Sequence, residues 1–296
     1  MDVDTRLLRY FRAVAEEGNL SRAAERLFVS QPALTKQIRQ LEDRLGTRLF
    51  SRSKHGMALT GPGEALAAAV PAVLDAWDGA RRDVRAAEAE ASQVLRVSFL
   101  ASAANEKTQP IIADFRERRP GWRVELRQAS WGDPIAALVS GEVDAAFLRL
   151  PFPRQDEFAS LALLTEPRCV AMAAGHPLAR RESLRFADLL DELFVAAPDA
   201  AGAFRDHWVA ADARGGREVR VGAVTEHPDD WLTAIANGDG IALAPASAAR
   251  YYARPDIAYR DLDGVEPSTV ALVWPRRHPL PAPLADFIAA ARTHAD

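Results

Sequence analysis

The sequence predicts a multidomain protein of mixed helix and sheet, in which a small helical head and a long helix precede a larger α/β body. Its 296 residues are too many for one ordinary core and suit two or three domains. Apolar residues recur at helical spacing as far as about residue 92. Beyond Gln93, apolar runs typical of strands alternate with helical segments, which favours sheets covered by helices.

The composition is that of a globular protein, with 48% hydrophobic and 26% charged residues. The only cysteine in the sequence is Cys169, so an intrachain disulfide cannot form, which fits a reducing compartment. We find no basic-then-apolar export signal at the start and no apolar run of bilayer-spanning length. We therefore expect a cytoplasmic protein that does not enter a membrane.

The formal net charge of −4 is unevenly distributed along the chain. Residues 1–60 contain 11 basic and 7 acidic residues, whereas the remainder contains 26 basic and 34 acidic residues. A basic head on an acidic body indicates that only the head meets a polyanion.

Three helices are predicted in the head. Gly18 and Asn19 end the first, and Ser21 is the predicted N-cap of a short second helix that runs through Leu27. Ser30 caps the third helix, which Gly46 ends. Apolar residues on the inner faces of the first and third helices are Leu7, Leu8, Phe11, Val14, Ala15, Leu34, Ile38, Leu41 and Leu45.

The outer face of the third helix is polar. Glutamine and threonine side chains can bond base edges, and lysine and arginine neutralise phosphates. Two apolar segments, 49–50 and 57–59, flank a basic turn with His55 and predict a small hairpin, or wing. The predicted DNA contacts are Ser30, Gln31, Pro32, Thr35, Lys36 and Arg39, with Arg52 and Lys54 on phosphates. The alternative is a helical domain whose polar face is merely solvated.

The stretches "AAERLFVSQPALTKQIRQLEDRLGTRLFSR" and "LTGPGEAL" resemble the winged helix-turn-helix of LysR-type transcriptional regulators. The matching motifs occur in the same order as in the family. They are the alanine pair, the Ser-Gln-Pro turn, Leu-Glu, Leu-Gly and Leu-Phe-x-Arg. The resemblance implies double-stranded DNA with an interrupted inverted repeat as the partner. RNA polymerase is a further candidate partner on the promoter.

Residues 61–92 predict one linker helix, capped by Thr60 and kinked at Pro71. Apolar residues recur in steps of four and three, which suits pairing with another helix. The alternative is that this stripe packs on the chain's own body. The resemblance favours a dimer in which two chains pair through this helix. It also implies that two such dimers assemble as a tetramer. The stripe comprises Leu66, Val70, Val73, Trp77, Ala80, Val84, Ala87 and Ala91.

Residues 93–296 predict an effector-binding domain of two α/β subdomains with parallel strands. Subdomain I covers about 93–163 and 268–296, and subdomain II covers about 164–267. Chain crossovers near 163–166 and 263–268 leave a cleft between them, where ligands bind at the carboxyl ends of strands. Helices are predicted at 110–119, 134–140, 186–190, 204–213, 229–236 and 283–292.

The motifs "GHPLA" and "NGDGIALAP" resemble the family's effector domain, which is similar to periplasmic solute-binding proteins. Asp239 departs from the commoner apolar residue between the glycines. Ser102 and Arg149 match positions that contact carboxylates in relatives sensing intermediates of aromatic catabolism. The resemblance therefore implies a small organic acid as the effector, and an aromatic acid is one candidate.

Seven residues are candidates for the effector site. Ser102 would form an anion-binding corner, and Arg149 could hold a carboxylate in two hydrogen bonds. The alternatives are that Ser102 caps a helix, that Arg149 forms a surface or interdomain ion pair, and that Trp131 packs in a core. Glu226 would disfavour a second negative charge nearby. The candidates are Ser102, Ala103, Ser130, Trp131, Arg149, Thr225 and Glu226.

The sequence contains no constellation typical of an enzyme. Its six histidines are scattered and form no short metal-ligand spacing, and a single cysteine argues against a zinc site. Nucleophile-elbow, phosphate-loop and dinucleotide fingerprints are missing, so we expect no catalytic residue, metal or cofactor. Two other classes compete with a regulator: a solute-binding protein with a vestigial head, and an α/β enzyme with a regulatory head.

Overall fold

A computed structural model describes residues 3–27, 29–53, 56–101, 105–276 and 279–296. Within these ranges, the side chains of residues 52, 53, 82, 86 and 105 lie outside the description. The chain divides into two compact units, Met1–Val84 and Arg85–Asp296, and the boundary between them falls inside the predicted linker helix.

The first unit contains a helix-turn-helix followed by a hairpin and the start of a long helix. Its elements are α1 Thr5–Glu17, α2 Leu20–Arg26, α3 Gln31–Leu45, β1 Phe50–Ser53, β2 Gly56–Leu59 and α4 Gly61–Ser92. β1 and β2 pair antiparallel and form the predicted wing.

Side chains and glycines set the ends of these helices. Gly18 and Gly46 end α1 and α3 in the left-handed conformation, as predicted. Ser30 caps α3 by accepting a hydrogen bond from Ala33 N, also as predicted. The prediction of Ser21 as the cap of α2 was wrong. The Asn19 side chain caps that helix because its carbonyl oxygen accepts from two free backbone N–H groups of the first turn.

The apolar residues of the predicted linker stripe on α4 are not all in the same environment. Val70 is buried in the head core together with Leu74, which the heptad pattern did not include. Three other apolar residues of the stripe, Val73, Trp77 and Val84, are exposed. The first part of the stripe therefore packs on the chain's own head, whereas the predicted alternative was packing on the body. Pro71 lies inside the helix, which continues on both sides of it.

Subdomain I of the second unit is built on a five-stranded sheet of order β4-β3-β5-β13-β6. β3 lies parallel to β4 and β5, whereas β13 lies antiparallel to β5 and β6. The expected purely parallel sheet is thus a mixed one. The elements are β3 Val94–Phe99, α5 Asn105–Arg118, β4 Arg123–Gln128, α6 Ala136–Val139, β5 Ala145–Leu150, β6 Phe158–Glu166, β13 Ser268–Pro275 and α10 Ala282–Thr293.

Subdomain II holds a four-stranded sheet of order β11-β7-β12-β8 and the parallel pair β9 and β10. A backbone hydrogen bond of 2.8 Å from Val195 N to Ile241 O connects this pair to the start of β11. The elements are β7 Arg168–Ala173, β8 Ser183–Arg185, β9 Leu193–Ala196, α7 Ala203–Trp208, β10 Arg220–Val224, α8 Pro228–Asn237, β11 Ala242–Pro245, α9 Ala248–Tyr251 and β12 Ile257–Asp263.

Three predicted segments of the body differ from the structure. α5 begins at Asn105, so Pro110 lies inside the helix and removes one of its hydrogen bonds instead of starting it. The first crossover falls at Pro167, because β6 stays paired with β13 as far as Glu166. The helix predicted at 204–213 is interrupted after α7, where Ala210 adopts a φ of 47°.

Each subdomain has its own apolar core beside its sheet. The core of subdomain I is centred on Phe115, Phe147 and Phe287, whose rings meet edge to face. Subdomain II has one cluster on each side of its sheet. Within the described part of the chain, we find no helix long and apolar enough to cross a membrane.

Candidate nucleic-acid interface and ligand cavity

α3 has one buried and one exposed face. Leu34, Ile38 and Leu41 are buried against the head core. On the opposite side Lys36 and Arg39 are exposed, so their cations are accessible to a polyanion. Three other predicted contacts, Ser30, Gln31 and Pro32, are also exposed. The predicted DNA contacts of α3 thus share one accessible surface.

Thr35 lies half-buried on this surface. Its hydroxyl donates a hydrogen bond of 2.9 Å to the backbone carbonyl of Gln31, one turn earlier. This bond fixes the orientation of the hydroxyl and leaves its lone pairs as acceptors.

A buried carboxylate joins α3 to the first strand of the wing. Glu42 Oε1 accepts hydrogen bonds from the backbone N–H groups of Leu49 at 2.9 Å and Phe50 at 3.3 Å. Its second oxygen, Oε2, pairs with Arg48 at 2.7 Å. Because Glu42 is only 6% exposed, it holds the wing rather than facing a ligand.

The wing also rests on the end of α1. Met57 N donates a hydrogen bond of 2.8 Å to the carbonyl of Gly18. A Cβ atom at Gly56 would lie 2.4 Å from that same oxygen, and its φ of 129° also favours glycine. Of the residues predicted to carry the wing's positive charge, Lys54 and His55 lie outside the described residues, as does the side chain of Arg52.

The beginning of α4 is fixed to the wing and to α1. Thr60 Oγ1 donates to the carbonyl of Arg48 at 2.6 Å and accepts from Gly63 N at 3.1 Å. Farther along, Arg9 of α1 pairs with Asp78 at 2.6 Å. α3, the wing and α4 are therefore connected by polar contacts as well as by the apolar core.

The second unit encloses an apolar cavity at the carboxyl ends of four strands. Ala101, Trp131, Ala197 and Pro245 line it just beyond β3, β4, β9 and at the end of β11. This is the edge at which a ligand was predicted to bind. Its volume of about 60 Å³ has room for a few water molecules. The remaining lining residues are Val195, Phe204, Trp208, Pro228, Trp231, Leu243, Ala244, Ala248 and Tyr252.

Aromatic side chains dominate the walls of this cavity. Trp131 and Trp231, which come from different subdomains, meet edge to face with ring centroids 6.2 Å apart. Trp131 also packs on the apolar cores of both subdomains, so the alternative of core packing applies to it as well. None of the described lining residues is a lysine, arginine or histidine.

Three other predicted effector residues lie beside Trp131. Ser130 Oγ donates a hydrogen bond of 2.6 Å to the carboxylate of Glu226, and Trp131 N donates one of 3.1 Å to its backbone carbonyl. Thr225 is buried, and within the described structure its hydroxyl has no hydrogen-bond partner. Ser102 and Ala103 lie outside the described residues.

Arg149 is near the end of β5 rather than after it, and it is 2% exposed. Its guanidinium donates to Glu166 at 2.7 Å and to Ser268 Oγ at 3.1 Å. Glu166 in turn accepts from the backbone N–H and hydroxyl of Ser247 in subdomain II. Burial lowers the pKa of Arg149, and the Glu166 carboxylate opposes that change. The ion-pair alternative describes this residue, whose predicted part in effector binding stays a prediction.

A second buried arginine, Arg168, lies at the start of β7. It donates hydrogen bonds to the backbone carbonyls of Glu266 and His207. Burial, together with the neighbouring Arg168 cation, lowers the pKa of His207 to about 4. Sequence patterns gave no indication of this cluster, because its members lie far apart along the chain.

Sequence reasoning also missed four aromatic residues of the cavity wall, which are Phe204, Trp208, Trp231 and Tyr252. Their signal was the position of bulky aromatics just beyond strands or on the helices that follow them. Across the described residues, no group of three or more histidine, cysteine, aspartate or glutamate side chains could hold a metal ion.

Two protein-family models match most of this chain. The "Bacterial regulatory helix-turn-helix protein, lysR family" model matches residues 5–64, and the "LysR substrate binding domain" model matches residues 88–296. The first match contains α1 to β2, and the second contains the whole cavity.

Similar curated proteins are transcriptional regulators. The regulator AlsR of Bacillus subtilis (strain 168) is 30% identical over 267 residues, which cover 89% of this chain and 87% of AlsR. The Hca operon transcriptional activator HcaR of Escherichia coli (strain K12) is 31% identical over 289 residues, which cover 97% and 96% of the two chains.

Solved structures give the same result. The crystal structure of CbnR, a LysR family transcriptional regulator, has 27% sequence identity and a TM-score of 0.55, covering 98% of this chain and 100% of that one. Full-length CbnR in complex with its target DNA has 26% identity and a TM-score of 0.54, covering 99% and 100%.

Proposed function

Because the chain belongs to the LysR family of transcriptional regulators, we propose that it binds operator DNA through α3 and the wing and that a small aromatic carboxylate in the cavity modulates its activity. The relatives are regulators rather than enzymes, so the cavity is a site of ligand sensing.

The observation that carries the DNA proposal is the exposed polar face of α3. Gln31 would read base edges and Lys36 and Arg39 would bind phosphates, because these side chains project from the face opposite the buried one. Thr35 would accept a hydrogen bond, since its own proton is used within the helix. Ser30, Pro32, Arg52 and Lys54 complete the proposed surface.

The exposed stretch of α4 supports pairing of two chains. Trp77 is 47% exposed and Val84 is 72% exposed, which leaves apolar surface unburied on one stripe of a long helix. Pairing through this stripe would bring two recognition helices to two half-sites of an inverted repeat. We further propose that dimers assemble as tetramers and that the bound regulator contacts RNA polymerase.

The cavity supports an aromatic effector. Its tryptophan, phenylalanine and tyrosine walls offer edge-to-face and stacking contacts to a planar ring. Ala101 lines the cavity, and we propose that a ligand carboxylate binds the anion-binding corner predicted at the residues that follow it. Ser102 and Ala103 would belong to this corner.

Binding would couple to the conformation of the two subdomains. A volume of about 60 Å³ is smaller than a benzene ring requires, so the cleft has to open or its aromatic walls have to move. An effector then shifts the equilibrium between the two arrangements only as far as its affinities for them differ. We propose that this shift changes the placement of the DNA-binding heads across the oligomer.

The test combines genomic footprinting with titration of the full-length protein. Footprinting should recover sites with an interrupted inverted repeat, and benzoate, salicylate or a related acid should change the footprint or the transcription from such a site. Absence of specific DNA binding would refute the regulator. Specific DNA binding that no aromatic acid alters would refute only the proposed effector.

A further inference from the structure

We propose that Glu226 makes the cavity selective for aromatic acids that carry a single carboxylate. The proposal rests on the proposed function, because it concerns the same cavity and narrows the class of its ligand. It assigns Glu226 a role in specificity: the residue would exclude a second anionic group instead of binding the first.

The lining of the cavity provides the first step of the argument. Two of its thirteen described residues, Trp131 and Trp231, close one side with their rings, and the described lining carries no cationic side chain. A carboxylate drawn into such a wall would lose its hydration without gaining a counter-charge. The ring of the ligand suits these apolar walls, and its carboxylate does not.

The position of Glu226 provides the second step. Its carboxylate accepts the Ser130 hydroxyl at 2.6 Å, so the polar donor beside Trp131 is already occupied by an anion of the protein. Its backbone carbonyl accepts from Trp131 N at 3.1 Å, which places Glu226 next to Trp131, a residue that lines the cavity. A Cβ added at Gly132 would meet Glu226 Oε2 at 3.0 Å, so the carboxylate packs closely on this loop.

A second ligand carboxylate near Trp131 would therefore face a like charge. Glu226 is exposed to solvent beside Trp131, and the solvent reduces the repulsion between two carboxylates a few ångströms apart to a value between the bulk-water and protein-surface limits. We expect a loss of affinity of about tenfold for each aromatic diacid relative to the corresponding monoacid. Neutralising Glu226 should recover most of this loss.

The experiment compares benzoate with phthalate, isophthalate and terephthalate. These positional isomers place the second carboxylate at three different angles, so no orientation of the ring has to be assumed. Affinities are measured by calorimetry and by tryptophan fluorescence on the full-length protein. The variants are Glu226→Gln, which keeps an acceptor for Ser130, and Glu218→Gln, an exposed acid elsewhere in the same unit that controls for net charge.

In the wild type and in Glu218→Gln we expect benzoate to bind about tenfold more tightly than any of the diacids. In Glu226→Gln we expect at least one diacid to approach the affinity of benzoate, with benzoate itself changed less than threefold. A wild type that binds a diacid as tightly as benzoate would overturn the proposal. So would a Glu226→Gln variant that rejects every diacid as strongly as the wild type does.

The benzoate arm separates this proposal from the one on which it rests. If benzoate binds and discrimination is unaffected by Glu226→Gln, the aromatic-acid site stands and the role of Glu226 is refuted. If benzoate fails to bind the folded, DNA-binding wild type, the proposed effector class is refuted and the role of Glu226 with it.

Discussion

Glu42 Oε1 on the recognition helix lies 2.9 Å from Leu49 N, the last backbone N–H before the wing. The side chain is buried, so this bond forms away from water, where an unpaired N–H is unfavourable. One carboxylate thus sets the distance between the helix proposed to enter the major groove and the strand proposed to follow the DNA backbone.

Glu42→Ala should destabilise the first unit and weaken DNA binding. It leaves the N–H groups of Leu49 and Phe50 without their acceptor, at about 1–3 kcal/mol for each buried group. Urea unfolding and an operator titration measure the two effects. Arg48→Ala is the matched control, because its side chain is 73% exposed and its ion pair should contribute less than about 1 kcal/mol. Equal effects of the two substitutions would contradict the role of Glu42.

Two glycines in the first turn of α4 should respond oppositely to alanine. A Cβ at Gly63 would lie 2.1 Å from the carbonyl oxygen of Leu49, whereas a Cβ at Gly61 meets nothing within 4 Å. Gly63→Ala should therefore lower the free energy of unfolding by about 1–3 kcal/mol, because the backbone at Leu49 and the first turn of α4 would have to move apart. Gly61→Ala should leave it unchanged or raise it slightly, since alanine is the better helix former. Thermal unfolding of both variants, with the wild type as reference, makes the comparison.

The head could be predicted almost completely from the sequence. Its helices depend on local signals, such as Ser30 and Gly46 at the ends of α3, and on apolar spacing that repeats within a few residues. Ser21 failed as a cap because the Asn19 side chain accepts hydrogen bonds from Ser21 N and Arg22 N, so the helix already begins at Leu20. Glu42 gave no signal of burial, because its partners on the wing become neighbours only in the folded unit.

The effector body was less predictable because its decisive contacts join distant segments. β6 and β12 complete mixed sheets through pairing with strands far along the chain. Arg149 was expected in the cleft, but Glu166 and Ser268 hold it in the interior. The cavity lies at the strand ends where the topology predicted a ligand, yet most of its aromatic wall comes from helices that follow those strands.

Arg39→Ala should weaken binding to every DNA sequence to a similar extent and reduce the salt dependence. If the exposed guanidinium binds one phosphate, the slope of log K against log salt should fall by about one. Fluorescence anisotropy at several salt concentrations measures the slope. Arg116→Ala, an exposed arginine on α5 in the second unit, should leave both affinity and slope unchanged. A wild-type slope in Arg39→Ala would show that this residue does not contact a phosphate.

Trp77→Glu should shift the oligomer towards smaller species. The side chain is 47% exposed on α4, and a charge in a helix–helix contact would have to be desolvated without a partner. Sedimentation velocity over a range of concentrations should show a weaker self-association by at least tenfold. Ala72→Glu introduces the same charge on another face of α4 and should leave association intact. If Trp77→Glu associates as the wild type does, the proposed pairing stripe is wrong.

Protonation of His207 should link the stability of the second unit to pH. Burial and the neighbouring Arg168 lower the pKa of His207 to about 4, whereas a free histidine titrates near 6.5. Between these two values the unfolded chain binds a proton that the folded chain does not, so stability falls as the pH falls through this window and is fully present above it. The contribution is at most about 1.4 kcal/mol per pH unit and is reduced by the partial exposure of the ring. Urea unfolding at pH 7.5 and 5 should show a smaller loss in His207→Gln than in the wild type, even if the variant is less stable at both. If the free energy of unfolding falls equally in the two proteins, protonation of His207 is not the cause of the pH dependence.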